Sequence, residues 1–225
     1  EVQTLSFVNK DKNLLFNPEK KYVEVFNAID QSSKFMRSNL MSSLIDVYKL
    51  NNEQNNLSNS YFEINTVFDT SKNKIYEDVP NQNTVLGFLT SSTLSNTDTR
   101  LKDQEIDLYY VKNILTQLLN SYDLEPISKP GFHQNYSFSI IKNGQIIGHF
   151  GQLSTQTQME LEFNNEIYLG EIYINKIDLN ELKKINYVPL SQYPFIKFDL
   201  SFSVPIDLSA HLLVEEIHDL LKENE

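Results

Sequence analysis

The sequence predicts an α+β fold built on a largely antiparallel sheet, and three observations lead there. Apolar residues recur at every second position in several separate stretches, the period of strands with one buried face. Helical spacing takes over between them, most clearly in "DQEIDLYYVKNILTQLLNSY", Asp103 to Tyr122. Asn143-Gly144, the strongest short hairpin signal, joins two alternating runs directly and so makes neighbours in sequence antiparallel neighbours in space. No internal repeat is visible.

Taken in order, "EVQTLSFV" alternates Val2, Thr4, Ser6 and Val8 against Leu5 and Phe7 and reads as an opening strand. "KYVEVFN", Lys21 to Asn27, repeats the alternation with Tyr22, Glu24 and Phe26 opposite Val23 and Val25. In "MRSNLMSSLIDVYKLNN", Leu40, Leu44, Val47 and Tyr48 take helical spacing, with Ser38 placed to cap. The asparagine-rich "NNEQNNLSNS" reads as a polar connection. "YFEINTVF" (Tyr61 to Phe68) and "TVLGFLT" (Thr84 to Thr90) are strands by their β-branched and aromatic content. The longest helix carries two apolar rows, Ile106, Tyr110, Ile114 and Leu118, and Leu108, Val111, Leu115 and Leu119, which predicts packing on two sides. "YSFSIIKNGQIIGHFGQL" is the hairpin, and "EIYLGEIYINKIDL" is a strand running into a short helix at "LNELKKI". Between two prolines, "SQYPFIKFDLSFSVP" places Ile196, Phe198, Leu200, Phe202 and Val204 on alternate positions, with Lys197, Asp199, Ser201 and Ser203 between them. A helix follows through Leu213, Ile217, Leu220 and Leu221, capped by Ser209, with Glu215 and Glu216 near its positive end. This helix is expected to fold over the strand, burying Phe198, Leu200 and Phe202 against Leu213, Ile217 and Leu220.

Composition narrows the chemistry. The 225 residues are enough for one large domain, or one domain and a fragment. A formal charge of −11 sets the molecule's field against polyanions such as nucleic acid or an anionic membrane. Arg37 and Arg100 are the only arginines, so the planar bidentate donor that phosphate sites favour is scarce. The absence of cysteine removes disulfides, thiolate nucleophiles and Cys-ligated zinc together. "EVQTLSFVNKDKN" lacks the blocks of a signal peptide, and no apolar run is long enough to span a bilayer, which leads to the expectation of a soluble, cytoplasmic protein.

The candidate sites are few. His133, His149, His211 and His218 have no partner at ligand spacing, so no metal is expected. Gly148 and Gly151 in "IIGHFG" follow a hairpin rather than opening a helix, so they read as turn glycines and not as a dinucleotide loop. Glu63 in "YFEIN" and Glu171 in "YLGEIYI" are carboxylates in apolar strands, which suits either a general acid or base or an outward-facing residue in period-2 alternation; for Glu171 the outward position fits at least as well. No nucleophile triad, phosphate loop or paired-carboxylate motif is present. No catalytic, cofactor-binding or metal-binding residue is therefore assigned.

Six segments in this order resemble the β subunit of bacterial phenylalanyl-tRNA synthetases. "EVQTLSFV" looks like the strand after that family's first class II helix. "VEVFNAIDQSSKFMRSNLMSSLIDVYKLN" resembles its LxNPxSxxxSxMRxSLLPGLL, and "YFEINTVF" its LFEIGxVF. "EIDLYYVKNILTQLL" is similar to FFDLKGxVExLL, "KNGQIIGHFGQLSTQT" to NGxxIGxxGxLHP, and "YVPLSQYPFIKFDLSFSV" to YxPLSKFPAVRRDLALVV. Departures stand beside the matches: Asn27-Ala28 replaces Asn-Pro, Met41-Ser42-Ser43-Leu44 replaces Leu-Pro-Gly-Leu, Lys197-Phe198 replaces a double arginine, and "FHQNYS" lacks the family's glycine and arginine.

The resemblance implies a class II synthetase-like antiparallel sheet flanked by helices that has lost catalysis. Class II adenylation needs an arginine beside the second-motif glutamate and a glycine-rich third motif ending in arginine; in "YFEIN" the glutamate stands without an arginine near it in sequence. By the same resemblance, residues 1–190 form the non-catalytic core, and 191–225 the first strand and helix of a ferredoxin-like anticodon-binding domain, as if cut from a longer chain at both ends. The implied role is scaffolding the catalytic α subunit in an (αβ)2 enzyme that attaches phenylalanine to tRNA. ATP and magnesium would be used on other segments and tRNA met only through the complete enzyme, with no DNA or membrane partner. A free-standing paralogue acting as a binding module is the alternative, and an enzyme with an unrecognised site a third.

Overall fold

The computed structural model describes residues 1–18, 21–54, 56, 60–72, 79–94, 104–178, 199, 201, 203–205, 208 and 210–222. The chain divides into two compact units, Glu1–Lys184 and Ile185–Glu225.

The first unit is built on a six-stranded, wholly antiparallel sheet. Its strands are β3 (Ser60–Lys72), β4 (Pro80–Ser91), β7 (Asp123–Pro126), β8 (Phe132–Lys142), β9 (Gln145–Leu153) and β10 (Ile167–Tyr173), in the spatial order β3-β4-β10-β9-β8-β7. Two small pairs lie outside it, β1 (Phe7–Val8) with β2 (Phe35–Met36), and β5 (Thr93–Leu94) with β6 (Gln104–Glu105). The hairpin between β8 and β9 turns at Asn143-Gly144, both with positive φ (52° and 72°), the arrangement whose twist matches that of the strands it joins.

Helices cover both faces. On one, α2 (Met41–Glu53) lays Met41, Leu44, Ile45 and Tyr48 against Tyr61, Leu89, Leu153, Ile167 and Leu169, and Phe16, just after the short helix α1 (Lys10–Leu14), joins this core. On the other, α3 (Leu108–Leu119) buries Val111, Leu115 and Leu119 against Ile140, Ile147, Phe150, Tyr168 and Ile172. A short helix, α4 (Thr155–Glu160), precedes β10 and is capped by Ser154. The antiparallel sheet flanked by helices is as the sequence predicts, because period-2 strands need cover on each apolar face.

Several local expectations are corrected. Of "EVQTLSFV" only Phe7 and Val8 enter a ladder; Val2 donates one backbone bond to Phe62 O, and Thr4 turns its polar groups to a side chain instead. Lys21 to Asn27 forms no strand, only a bridge between Glu24 and Phe35. The long helix is shorter than Asp103–Tyr122, since Asp107 accepts a hydrogen bond from Tyr110 N–H at 2.8 Å and caps it there. Its two apolar rows are not equally covered: Val111, Leu115 and Leu119 are buried, Leu108, Tyr110 and Leu118 pack against the same core partly buried, and Ile114 is 48% exposed. Gly148 and Gly151 lie inside β9, where neighbouring strand backbone leaves no room for a Cβ; they are close-approach residues, not turn residues.

The second unit contributes α5 (Ala210–Lys222). Leu213 and Ile217 are half-buried, but Leu220, which shares their helix face by spacing, is 56% exposed, against expectation. Val204 is described, exposed and not in a strand. Ile196, Phe198, Leu200, Phe202, Ser209 and the "LNELKKI" helix lie outside the described residues, and so does the proposed cover of the aromatics.

Candidate functional site

In antiparallel register, directly opposed residues share a face. The register sets Glu63, Gly87, Glu171, His149 and Ser139 in one row across β3, β4, β10, β9 and β8, on the side that α2 covers. Four of these five can do chemistry, and the row includes both carboxylates singled out in the sequence.

Glu63 is 0% exposed and fully engaged. Arg37 Nη1 donates to its Oε1 at 3.1 Å, Asn65 Nδ2 at 2.8 Å and Thr4 N–H at 3.2 Å, while Thr4 Oγ1 donates to Oε2 at 2.7 Å. Arg37, also 0% exposed, donates in addition through Nη1 to Thr4 Oγ1 at 2.8 Å and through Nε to Thr66 O at 2.9 Å. Its Nη2 has no partner among the described residues. Local sequence places no arginine near Glu63; the fold brings one across 26 positions. The carboxylate is thus a structural anchor for the N-terminal segment, held by four hydrogen bonds and without the solvent access that a general acid or base needs.

Glu171 does not face outward. It is 4% exposed, and its Oε1 accepts the backbone N–H of Leu40 at the start of α2. A carboxylate there meets orphan donors and the positive end of the helix dipole. Asn39 Oδ1 completes the cap, accepting Ser42 N–H at 2.8 Å. Ser38, the expected cap, instead donates its N–H and hydroxyl to Asn13 Oδ1. Between the two glutamates stands Gly87, where an added Cβ would come within 2.6 Å of Leu40 Cβ, so the helix start is seated directly on the sheet. Leu40, Val67 and Val85 pack together over this position with Tyr173 against them.

Farther along the row, His149 Nδ1 lies 3.3 Å from Ser139 Oγ. Burial, with smaller contributions from Lys129 and Lys176, pushes its pKa down to about 4, so the ring is neutral at pH 7. Burial, then the charges of Glu171 and Asp69, holds the Tyr173 phenol well above its ordinary value. His133 stacks on Tyr136 on the opposite face, and the side chains of His211 and His218, like Arg100, lie outside the described residues. Among the described residues, no group of three or more His, Asp or Glu is placed to hold a metal ion.

Residues 1–174 match the family described as the phenylalanyl tRNA synthetase beta chain CLM domain. The chain belongs to this family. The phenylalanine–tRNA ligase beta subunit of Coxiella burnetii is 29% identical over 223 residues, covering 96% of this chain and 27% of its own length. That of Carboxydothermus hydrogenoformans is 27% identical, covering 98% of this chain and 28% of its own length. The chain therefore spans about a quarter of these curated relatives. Among solved structures, pyrrolysyl-tRNA synthetase from Desulfitobacterium hafniense superposes with a TM-score of 0.53 at 13% identity, over 78% of this chain and 60% of that one. At that identity the likeness is one of fold, class II synthetase-like.

Proposed function

We propose that this chain is the non-catalytic, synthetase-like module of a phenylalanine–tRNA ligase β subunit, and that it supports the α subunit in ATP-dependent attachment of phenylalanine to tRNA. The observation that carries this reading is the seating of Leu40 on Gly87. Class II adenylation needs an arginine beside the second-motif glutamate that is free to hold the ATP phosphates. Here the face that carries Glu63 is filled by the start of α2, and the one described arginine is buried in a pair with that glutamate. Among the described residues no other guanidinium lies there to grip a phosphate.

In this reading residues 1–190 are the core, and 191–225 open a ferredoxin-like anticodon-binding domain. The α subunit is the partner in a cytoplasmic (αβ)2 heterotetramer, ATP and magnesium act on other segments, tRNA is engaged by the complete enzyme, and neither DNA nor a membrane is a partner. Pyrophosphate exchange with phenylalanine and ATP tests the catalytic half: the isolated chain is expected to match a buffer control, and activity well above it would overturn the reading. Co-expression with an α subunit tests the scaffold half. Co-purification supports it, whereas a chain that never associates favours the free-standing binding module.

A further inference from the structure

The face opposite α2 holds a second cluster, where β10 begins. Tyr168 points to the α3 side, its ring buried in that core and its hydroxyl donating to Glu166 Oε2 at 2.7 Å. Ser92 N–H donates to Glu166 O and Ile106 N–H to Ser92 O, each at 2.7 Å, which stitches the loop carrying exposed Asp107 to the strand start carrying exposed Glu166.

Beyond Gln152, the β9 neighbour of Tyr168, the register of β8 breaks between Phe132 and Ser137. Such irregularities re-aim side chains. Phe132 and Ser137 point to the α2 face, so His133 and Tyr136 between them point to the other. Their rings stack with centroids 4.8 Å apart and planes 27° apart, and Asn135 N–H donates to His133 Nδ1 at 3.2 Å, fixing that ring. Tyr136 is 49% exposed. Burial, then Glu166, Asp107 and Tyr136, raises the Tyr168 phenol, so each of these three groups acts on that hydroxyl.

We propose that this corner docks an arginine side chain of a partner protein, with the guanidinium plane against the Tyr136–His133 stack and its N–H donors turned to Glu166 and Asp107. Charge complementarity selects the occupant. Two exposed carboxylates on a chain of net charge −11 attract a cation and repel a phosphate backbone. A flat, pre-stacked aromatic pair suits the planar, weakly hydrated guanidinium better than a compact ammonium. The inference is independent of the synthetase reading, since it uses the other face of the sheet.

The test is an NMR titration of the whole chain with Nα-acetyl-arginine methylamide and, in parallel, the neutral citrulline analogue. Arg37 being buried, Arg100→Gln removes the chain's other arginine as an internal competitor. The His133 and Tyr136 ring signals should shift saturably with the arginine probe and not with citrulline. Glu166→Gln and Tyr136→Leu should each weaken the response about three- to fivefold, the ratio one exposed cation–π or ion-pair contact supports. If Tyr136→Leu fails to fold, Glu166→Gln alone decides. Equal shifts with citrulline, no saturable shift, or a response to adenosine monophosphate in place of arginine would overturn the proposal.

Discussion

Arg37 and Glu63 form an ion pair in which both residues are fully buried, and the energetics of such a pair are asymmetric. Keeping both contributes little net stability, but removing one strands the other. Arg37→Met is therefore expected to cost about 3–5 kcal/mol in urea unfolding, and the double variant Arg37→Met/Glu63→Gln at least about 1 kcal/mol less than the sum of its singles. Additive losses would show that the pair is uncoupled. His149 gives a pH signature. Its folded-state pKa of about 4 lies below the ordinary 6.5, so between those values the unfolded chain binds a proton that the folded chain refuses. Stability falls as pH drops through this window, by on the order of 3 kcal/mol for the full shift. His149→Gln should flatten the stability–pH curve between pH 6.5 and 4, and an unchanged slope would assign the acid sensitivity elsewhere.

At the scale of elements, α2 is positioned by its start rather than by its apolar stripe alone. Glu171 holds Leu40 N–H, and the missing side chain of Gly87 receives Leu40. Gly87→Ala should cost about 1–3 kcal/mol by overpacking. Leu40→Gly should be less harmful in that background than in the native chain, because it removes the Cβ that a Gly87 Cβ would approach to 2.6 Å. Thermal unfolding of the four proteins of the cycle measures this, and additive effects would mean that helix and sheet separate freely there. α3 behaves differently. Its Val111–Leu115–Leu119 row is buried while Ile114 is 48% exposed, so Ile114→Gln should change stability by less than about 0.5 kcal/mol, the range of surface substitutions.

For the whole molecule, net charge dominates. With −11 spread over 225 residues, long-range repulsion opposes encounter with a polyanion. A filter-binding titration of the isolated chain with tRNA at physiological salt should show no saturation at micromolar protein. Sub-micromolar affinity with a steep salt slope would reveal a basic surface that the charge count conceals.

The sequence by itself determined that the segments of β3, β4, β8, β9 and β10 are strands and that β8 pairs with β9. Alternation marked β8 and β9, β-branched and aromatic content marked β3 and β4, and Asn143-Gly144 set the turn, because burial of one strand face and a positive-φ turn are local requirements written in local residues. Ordered motifs pointed to the family for the same reason. Short polar stretches were less legible. Val2–Ser6 alternates like a strand, yet it binds through Thr4 to a carboxylate that its own sequence does not contain. Only the tertiary structure decided what the carboxylates and Arg37 do. Glu171 alternates like an outward residue but is turned inward onto a helix start 131 positions away, and Arg37 meets Glu63 across a sheet edge. Alternation tells which residues share a face; what covers that face depends on distant segments, and their arrival turned two candidate catalytic groups into anchors.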